Sequence, residues 1–228
     1  MKQAIEFSHC IHNYLYVGSR RKSHTSYMIV VSEGSALIRL GKQEFLVSKG
    51  NGFWIPFDCL HALTVIPGTK FEKVEFSARL TIPVCRNAGF FKVTALDSAL
   101  LNELRTESQK EDSPEQVQVV TNLLRVVADQ ATKLKVKTNS LCPSLPNNFD
   151  QSLSLLIKGD KVTDKSAISA ISNVIGVSTN EFEACITMRE ALKLSRSGRK
   201  LNQIADKLKM PADTISALAK PILGETLA

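Results

Sequence analysis

A group of basic residues near the C-terminus is the first feature of this sequence with a definite chemistry. Residues 189–200 contain five of them and a single acidic residue, Glu190. The five are Arg189, Lys193, Arg196, Arg199 and Lys200. Positive charges grouped in this way neutralise the phosphates of nucleic acids. A solvated helix face is the other interpretation of the same pattern.

Helical patterns flank this basic group on both sides. In residues 166–186, apolar positions surround a turn at Gly176, and Ser178 is placed to cap a second short helix. Residues 200–224 repeat this layout, with apolar side chains at helical spacing. The order predicts two helix-turn-helix units joined by a basic helix, an arrangement that reads DNA.

The second helix of each unit should supply the base contacts, because its first residues face the major groove. Asn pairs with adenine there and Glu accepts a hydrogen bond from cytosine. The predicted contacts beyond the basic group are Ser178, Thr179, Asn180, Glu181, Lys209, Asp213, Thr214 and Ser216. Glu181 and Glu183 repel phosphate, so helices that fold in this way but bind DNA only weakly or with a partner are the alternative.

Composition limits the class of protein. The 228 residues are 43% hydrophobic and 22% charged, with a net charge of +7, which is typical of a globular protein long enough for two domains. No apolar run approaches the roughly 18–20 residues that span a bilayer. The N-terminal residues are too polar for a signal-peptide core. We therefore expect a cytoplasmic protein with no membrane partner.

The cysteines exclude two kinds of stabilised fold. There are five, an odd number, widely spaced and in no CxxC pair. This pattern argues against a disulfide framework and against a zinc finger. We expect them to be small buried hydrophobic residues in a reducing compartment.

The N-terminal region has the alternation of β-strands. Short apolar runs are separated by turns rich in Gly, Ser and Pro, and no long helix interrupts them. The predicted strands are residues 27–31, 36–40, 44–47, 53–55, 62–66 and 71–80. Many short strands at regular spacing predict a small antiparallel barrel or sandwich.

The pattern becomes helical near residue 95. Residues 94–109 and 116–137 each carry an apolar stripe at helical spacing. These helices either pack onto the β-structure or present one face to a second copy of the chain. Residues 138–148 contain two prolines and no periodicity, so we expect a linker there.

Three stretches in this order resemble the AraC/XylS family of transcription regulators. They are GNGFWIPFDCLHAL at 50–63, the leucine-rich helix at 96–104, and LPNNFDQSLSLLI at 145–157, which leads into residues 167–182. The resemblance implies an α+β chain. Its parts are a cupin-like β-barrel that senses an effector (1–92), a helical dimerisation segment (93–137), a linker (138–148) and an all-α double helix-turn-helix domain (149–228).

The resemblance also implies a function. It is that of a homodimeric, sequence-specific DNA-binding regulator controlled by a small-molecule effector, and not of an enzyme. The chain departs from the family where residues 182–188 pass directly into 189–194, without the usual insert. The usual aromatic positions of the second unit are also replaced at 214–220. The C-terminal domain is therefore expected to be shortened and divergent.

Residues 50–61 also resemble the second cupin motif, through Gly50, Pro56 and His61. Two His and one carboxylate can hold a metal, but here only His24, with Glu33 as a distant carboxylate, is available to join His61, so we expect no metal and no other cofactor. A pocket for a small effector among apolar side chains is the preferred interpretation. The residues predicted near it are His24, Tyr27, Trp54, His61 and Glu75.

Two other functions stay open from the sequence. One is a dimeric regulator that acts through protein interactions and has lost independent DNA binding. The other is a cupin enzyme with a helical appendage, which would require a metal set that the sequence only half supplies.

Overall fold

The structure, a computed structural model, describes residues 4–111 and 113–227. Strands come first along the chain and helices follow, so the expected α+β class is confirmed. The strands are β1 (Ile5–His12), β2 (Tyr16–Val17), β3 (Arg21–Lys22), β4 (Thr25–Glu33), β5 (Ser35–Leu40), β6 (Gln43–Ser48), β7 (Gly52–Ile55), β8 (Leu60–Val65), β9 (Thr69–Ser77) and β10 (Gly89–Phe91). The helices are α1 (Ala95–Glu107), α2 (Pro114–Thr132), a 3-10 turn (Asn147–Phe149), α3 (Asp150–Lys158), α4 (Lys165–Ile175), α5 (Thr179–Arg196), α6 (Leu201–Leu208) and α7 (Ala212–Leu223).

Strands β1–β10 form two antiparallel sheets, which we call the β-domain. The first sheet has the order β1-β9-β4-β7-β10, and the second has the order β2-β8-β5-β6, with β3 pairing with β8. Side chains alternate between the two faces of a strand. On β4, Tyr27 and Ile29 therefore point between the sheets, whereas Met28 and Val30 point outward to the helices. The central strands are thus buried on both faces.

Helices α1 and α2 cover the outer face of the first sheet. Thr94 and Asp97 form a capping box at the start of α1, and Ser113 caps α2 with Pro114 in its first turn. These caps satisfy backbone N–H groups that have no partner within the helix. Leu104 and Leu124 of these helices pack with Phe76 and Trp54 of the sheet. Helix α2 ends at Thr132, whereas the apolar periodicity predicted a helix that continues to residue 137.

Helices α3–α7, the C-terminal helices, pack on the outer face of the second sheet. Leu37 and Leu46 of that sheet share one hydrophobic core with Phe182 and Ile215 of the helices. The segment expected as a linker also lies against the β-domain, since Cys142 is fully buried and the Leu46 N–H donates to the Leu141 carbonyl at 2.8 Å. The helices and the sheets are therefore one packed body.

Two pairs of C-terminal helices have the predicted helix-turn-helix order. Gly176, with φ of 86°, ends α4, and Ser178 forms a capping box with Glu181 at the start of α5. Lys209, with φ of 55°, ends α6, and Pro211 stands at the start of α7. Helix α5 continues without a break for 18 residues, so the second helix of the first pair and the predicted basic connecting helix are one element.

Candidate effector cavity and candidate nucleic-acid interface

A cavity of about 520 Å³ opens at one end of the β-domain, between β3, β4, β8 and β9. Its volume lies in the range of small-molecule sites. Four of the five residues predicted for an effector site line it, namely His24, Tyr27, His61 and Glu75. The pairing of Tyr27 on β4 with Glu75 on β9 places these two side chains on one face of the first sheet, and His61 of β8 contacts Tyr27 from the second sheet.

Tyr27 and His61 form the buried polar centre of this cavity. The Tyr27 hydroxyl and His61 Nε2 are 2.5 Å apart, and His61 Nδ1 is 3.0 Å from the Cys59 carbonyl oxygen. A carbonyl only accepts hydrogen bonds, so Nδ1 carries the proton and Nε2 accepts from the tyrosine. Burial lowers the pKa of His61, and burial together with the Glu75 charge raises the pKa of Tyr27. Both groups are therefore neutral near pH 7.

Charged side chains surround this neutral pair. The Lys73 ammonium lies 2.8 Å from a Glu75 carboxylate oxygen and 4.8 Å from the centre of the Tyr27 ring. Thr25 donates to the other Glu75 oxygen at 3.1 Å. Arg21 lines the cavity, and within the described residues its guanidinium makes no ion pair. The mouth thus offers a positive charge for an anionic group of a ligand.

Trp54 lies elsewhere, which corrects the expectation that it lines the effector site. Its indole is fully buried on the opposite face of β7, where it packs 5.7 Å from Phe76 and donates to the Cys85 carbonyl at 2.8 Å. Neighbouring residues on a strand face opposite sides, so Phe53, not Trp54, points between the sheets.

Sequence reasoning missed His12 and Phe71, which complete the wall of the cavity. Their rings stack at 5.6 Å with an angle of 7° between planes. His12 belongs to β1, which the sequence analysis did not predict, although Ile5 and Phe7 show the alternation of a strand. That alternation was the available signal.

The deep end of the β-domain is filled by aromatic side chains. Phe53 lies 5.6 Å from Phe45 and 4.9 Å from Phe90, in tilted and edge-to-face arrangements. Such pairs are a stable form of aromatic packing. Between the two sheets, the cavity therefore lies at the end that holds Tyr27 and His61.

The two candidate metal ligands differ in their surroundings. Both ring nitrogens of His61 are engaged by Tyr27 and Cys59, whereas His24 is exposed. Within residues 4–111 and 113–227, no group of three or more His, Cys, Asp or Glu side chains comes together as a metal site would require.

Arg189 is part of the interface between α5 and the β-domain. Its side chain is 5% exposed and donates to both carboxylate oxygens of Glu44, at 2.7 and 3.3 Å, and to the Ile157 carbonyl at 3.1 Å. This geometry corrects the expectation that Arg189 contacts phosphate, because its guanidinium is committed inside the protein. Arg189 lies four residues after the buried Cys185 and therefore on the same face of α5, which was the sequence signal that its side chain is buried.

Two other predicted phosphate ligands also have protein partners. The Lys193 ammonium lies 2.7 Å from a Glu190 carboxylate oxygen. Arg196 donates to the Val17 carbonyl at 2.6 Å, while its side chain lies in an exposed position. An exposed ion pair contributes at most about 1 kcal/mol, so Lys193 can exchange its partner.

Among the predicted DNA contacts at the start of α5, some are bonded within the protein and others are accessible. Ser178 and Glu181 hold each other, since a Glu181 oxygen accepts from the Ser178 N–H at 2.9 Å and from its hydroxyl at 2.7 Å. These hydrogen bonds lower the pKa of Glu181. Asn180 is exposed and Thr179 is half-buried. Asn180 is thus the more accessible candidate for a base contact.

The helix pair α6–α7 keeps its predicted contacts on the surface. Ile204 and Ile215 are buried and hold the two helices on the core. The predicted contacts Arg199, Lys200, Lys209, Asp213, Thr214 and Ser216 are exposed, as are Lys207 and Asp206. Lys207 and Lys209 come just before the first turn of α7, whereas Arg199 and Lys200 lie at the start of α6. No described helix is long and apolar enough to cross a membrane.

Comparison with known proteins gives similarities only at the level of solved structures. No family model and no curated protein matches the sequence. The chain is similar to an apo variant of ToxT from Vibrio cholerae, at 11% identity and a TM-score of 0.41 over 99% of this chain and 96% of that one. It is also similar to wild-type ToxT from Vibrio cholerae bound to an unsaturated fatty acid, at 12% identity and a TM-score of 0.39 over 99% of this chain and 95% of that one. A cupin superfamily protein from Desulfitobacterium hafniense matches at 13% identity and a TM-score of 0.31, over 34% of this chain and 71% of that one.

Proposed function

We propose that this protein is a DNA-binding transcription regulator of AraC/XylS type, with a small-molecule effector held at the open end of a cupin-like β-domain. The observation that carries the proposal is the α6–α7 pair, whose apolar face is buried and whose α7 exposes Asp213 and Thr214 in its first turn, shortly after the exposed Lys207 and Lys209. That combination is what a helix-turn-helix needs, because one helix must enter the groove while basic side chains hold the backbone.

The second helix pair supplies most of the DNA contact in this proposal. Thr214 and Ser216 offer hydroxyls to base edges, and Asp213 can accept a hydrogen bond from cytosine. Arg199 and Lys207 contact the phosphates from the flanking surface. The first pair contributes Asn180, whose amide suits adenine. Arg189 takes no part, since Glu44 holds it.

The effector signal reaches the C-terminal helices through residues 14–22, which we call the arm. Tyr16 and Arg21 of the arm line the cavity. On the same arm, the Val17 carbonyl accepts from Arg196 at 2.6 Å, and the Leu15 N–H donates to the Ile222 carbonyl at 2.8 Å. A ligand that binds better to one position of the arm therefore shifts the population of α5 and α7 positions.

A binding titration against DNA upstream of the chain's own reading frame tests the proposal. Arg199→Ala combined with Lys207→Ala should weaken binding, and the slope of log K against log salt should fall by about 1.8, because each phosphate contact contributes about 0.9. Arg79→Ala with Lys42→Ala is the matched control, since both cations are exposed on the β-domain. Equal affinity and equal slope for wild type and both variants would refute DNA reading by this surface.

A second function is favoured by a different observation. Valines stay exposed on α2, with Val119 at 43% and Val126 at 41%, one heptad apart on the same side of the helix. A homodimer that acts through protein contacts, without reading DNA, would bury them. Sedimentation of wild type and Val119→Glu tests the dimer. A dimer without DNA binding would favour this second function over the first.

A further inference from the structure

A second concave site lies away from the effector cavity, between the β-domain and the segment that follows α2. It is a groove of about 630 Å³, bordered by β10, by the turn between β6 and β7, and by residues 135–147. Three lysines line it, Lys92, Lys135 and Lys137, and all three are exposed. No Asp or Glu stands among the residues that line the groove, and none of the three lysines has an ion pair within the described residues.

Backbone pairing holds the two segments that carry these lysines side by side. Phe90 and Lys137 exchange two backbone hydrogen bonds, at 2.9 and 2.8 Å. This isolated antiparallel bridge holds Lys137 against β10, the strand that Lys92 follows directly. Gly89 permits the close approach, because a Cβ at that position would lie 2.7 Å from the Lys137 carbonyl oxygen. The arrangement is therefore fixed by the fold and not by mobile side chains alone.

Like charges held close together repel one another. Nearby Lys133 has an acidic partner, since its ammonium lies 2.6 Å from an Asp129 carboxylate oxygen. In the groove that compensation is absent among the described residues. An anion bound between the lysines would supply it.

We infer that this groove is a binding site for a small organic anion with two or more negative charges, of the class of phosphorylated metabolites. Asn139 and Ser140 offer hydrogen bonds beside the lysines, and Val93 and Pro143 offer apolar contact to the body of such a ligand. The volume exceeds the needs of inorganic phosphate and is typical of a small-molecule site.

The position of the groove gives the ligand a regulatory consequence. Lys92 belongs to the β-domain, whereas Lys137 and Asn139 belong to the segment that leads from α2 to the C-terminal helices. An anion held by both sides ties that segment to the β-domain. The Asn51 amide, which donates to Ser144 at 2.6 Å, makes the same connection in the structure.

Calorimetric titration of the full chain with pyrophosphate and with ATP, without divalent cations, tests the inference. Both probes should bind wild type, and ATP should bind more tightly because it adds an apolar body. Lys92→Gln with Lys135→Gln should weaken both by about tenfold or more. The double variant without ligand should melt at or above the wild-type temperature, since it reduces the repulsion among the positive charges that line one groove.

Lys42→Gln with Lys158→Gln is the matched control, because these exposed lysines lie outside the groove beside a different surface. It should bind both probes as wild type does. Equal weakening in the control, or no binding to wild type at millimolar probe, overturns the inference. So does a result in which the groove variant weakens DNA binding alone, which would make the groove a phosphate-backbone contact. Single Lys137→Gln repeats the test if the double variant fails to fold.

Discussion

Replacing Arg189 by Met separates a structural role for this residue from a role in DNA binding. The substitution removes two charge-assisted hydrogen bonds to Glu44, at 2.7 and 3.3 Å, and one to the Ile157 carbonyl at 3.1 Å. Methionine keeps a similar apolar length in the space beside the core. What is lost is therefore the pairing of a buried charge.

The magnitude follows from the burial of both partners. The side chains of Arg189 and Glu44 are 5% and 16% exposed, so Glu44 would be left largely desolvated without a counter-charge. Removing one partner of a buried ion pair costs about 3–5 kcal/mol. Out of a typical total of about 5–15 kcal/mol, this is a large fraction of the folding free energy.

Urea unfolding followed by circular dichroism measures this loss, and a DNA titration of the same variant measures the affinity. We expect Arg189→Met to unfold at a much lower urea midpoint while the salt slope of DNA binding stays that of wild type. Arg199→Ala, at an exposed position, should change the unfolding free energy by about 0.5 kcal/mol or less and lower the salt slope. An Arg189→Met variant as stable as wild type, with weakened DNA binding, would refute our assignment of this residue.

Three other predictions concern single positions. Burial lowers the pKa of His61 in the folded protein. As the pH drops below about 6.5, the unfolded chain therefore binds a proton before the folded protein does, and the free energy of unfolding should decrease. A pH series of urea midpoints with no such decrease would contradict this. Tyr27→Phe removes the donor to His61 Nε2, and the pKa of His61 measured by NMR titration should rise towards its ordinary value. Ser178→Ala breaks the capping box and should cost about 1 kcal/mol in unfolding free energy, with Ser169→Ala on the exposed side of α4 as the control that leaves stability unchanged.

The sequence predicted the elements of this fold well, because their signals are local. Alternation marked the strands from β4 to β9, and apolar spacing marked α1, α2 and the C-terminal helices. The turn at Gly176 and the cap at Ser178 were correctly placed, since each depends on residues close in the chain.

What the sequence could not provide is which surfaces meet. A strand buried on both faces shows that Phe53 and Trp54 are inside the protein, but not which of them faces the other sheet. The packing of the C-terminal helices on β5 and β6 depends on Leu37 and Leu46, more than a hundred residues away from their partners. The ion pair of Arg189 with Glu44 joins residues that are 145 positions apart in the chain, so the pattern of charges along one helix could not reveal it.

The unbroken helix α5 is a rigid rod that begins at the turn of the first helix pair and ends shortly before the second. Its 18 residues rise about 27 Å, at about 1.5 Å per residue. Because the rod has no joint, its ends keep a fixed spacing and a fixed angle about its axis. Under the proposed function, a displacement of the arm at Arg196 would therefore move Ser178 as well, and the length of this one helix would set the span between the two DNA segments.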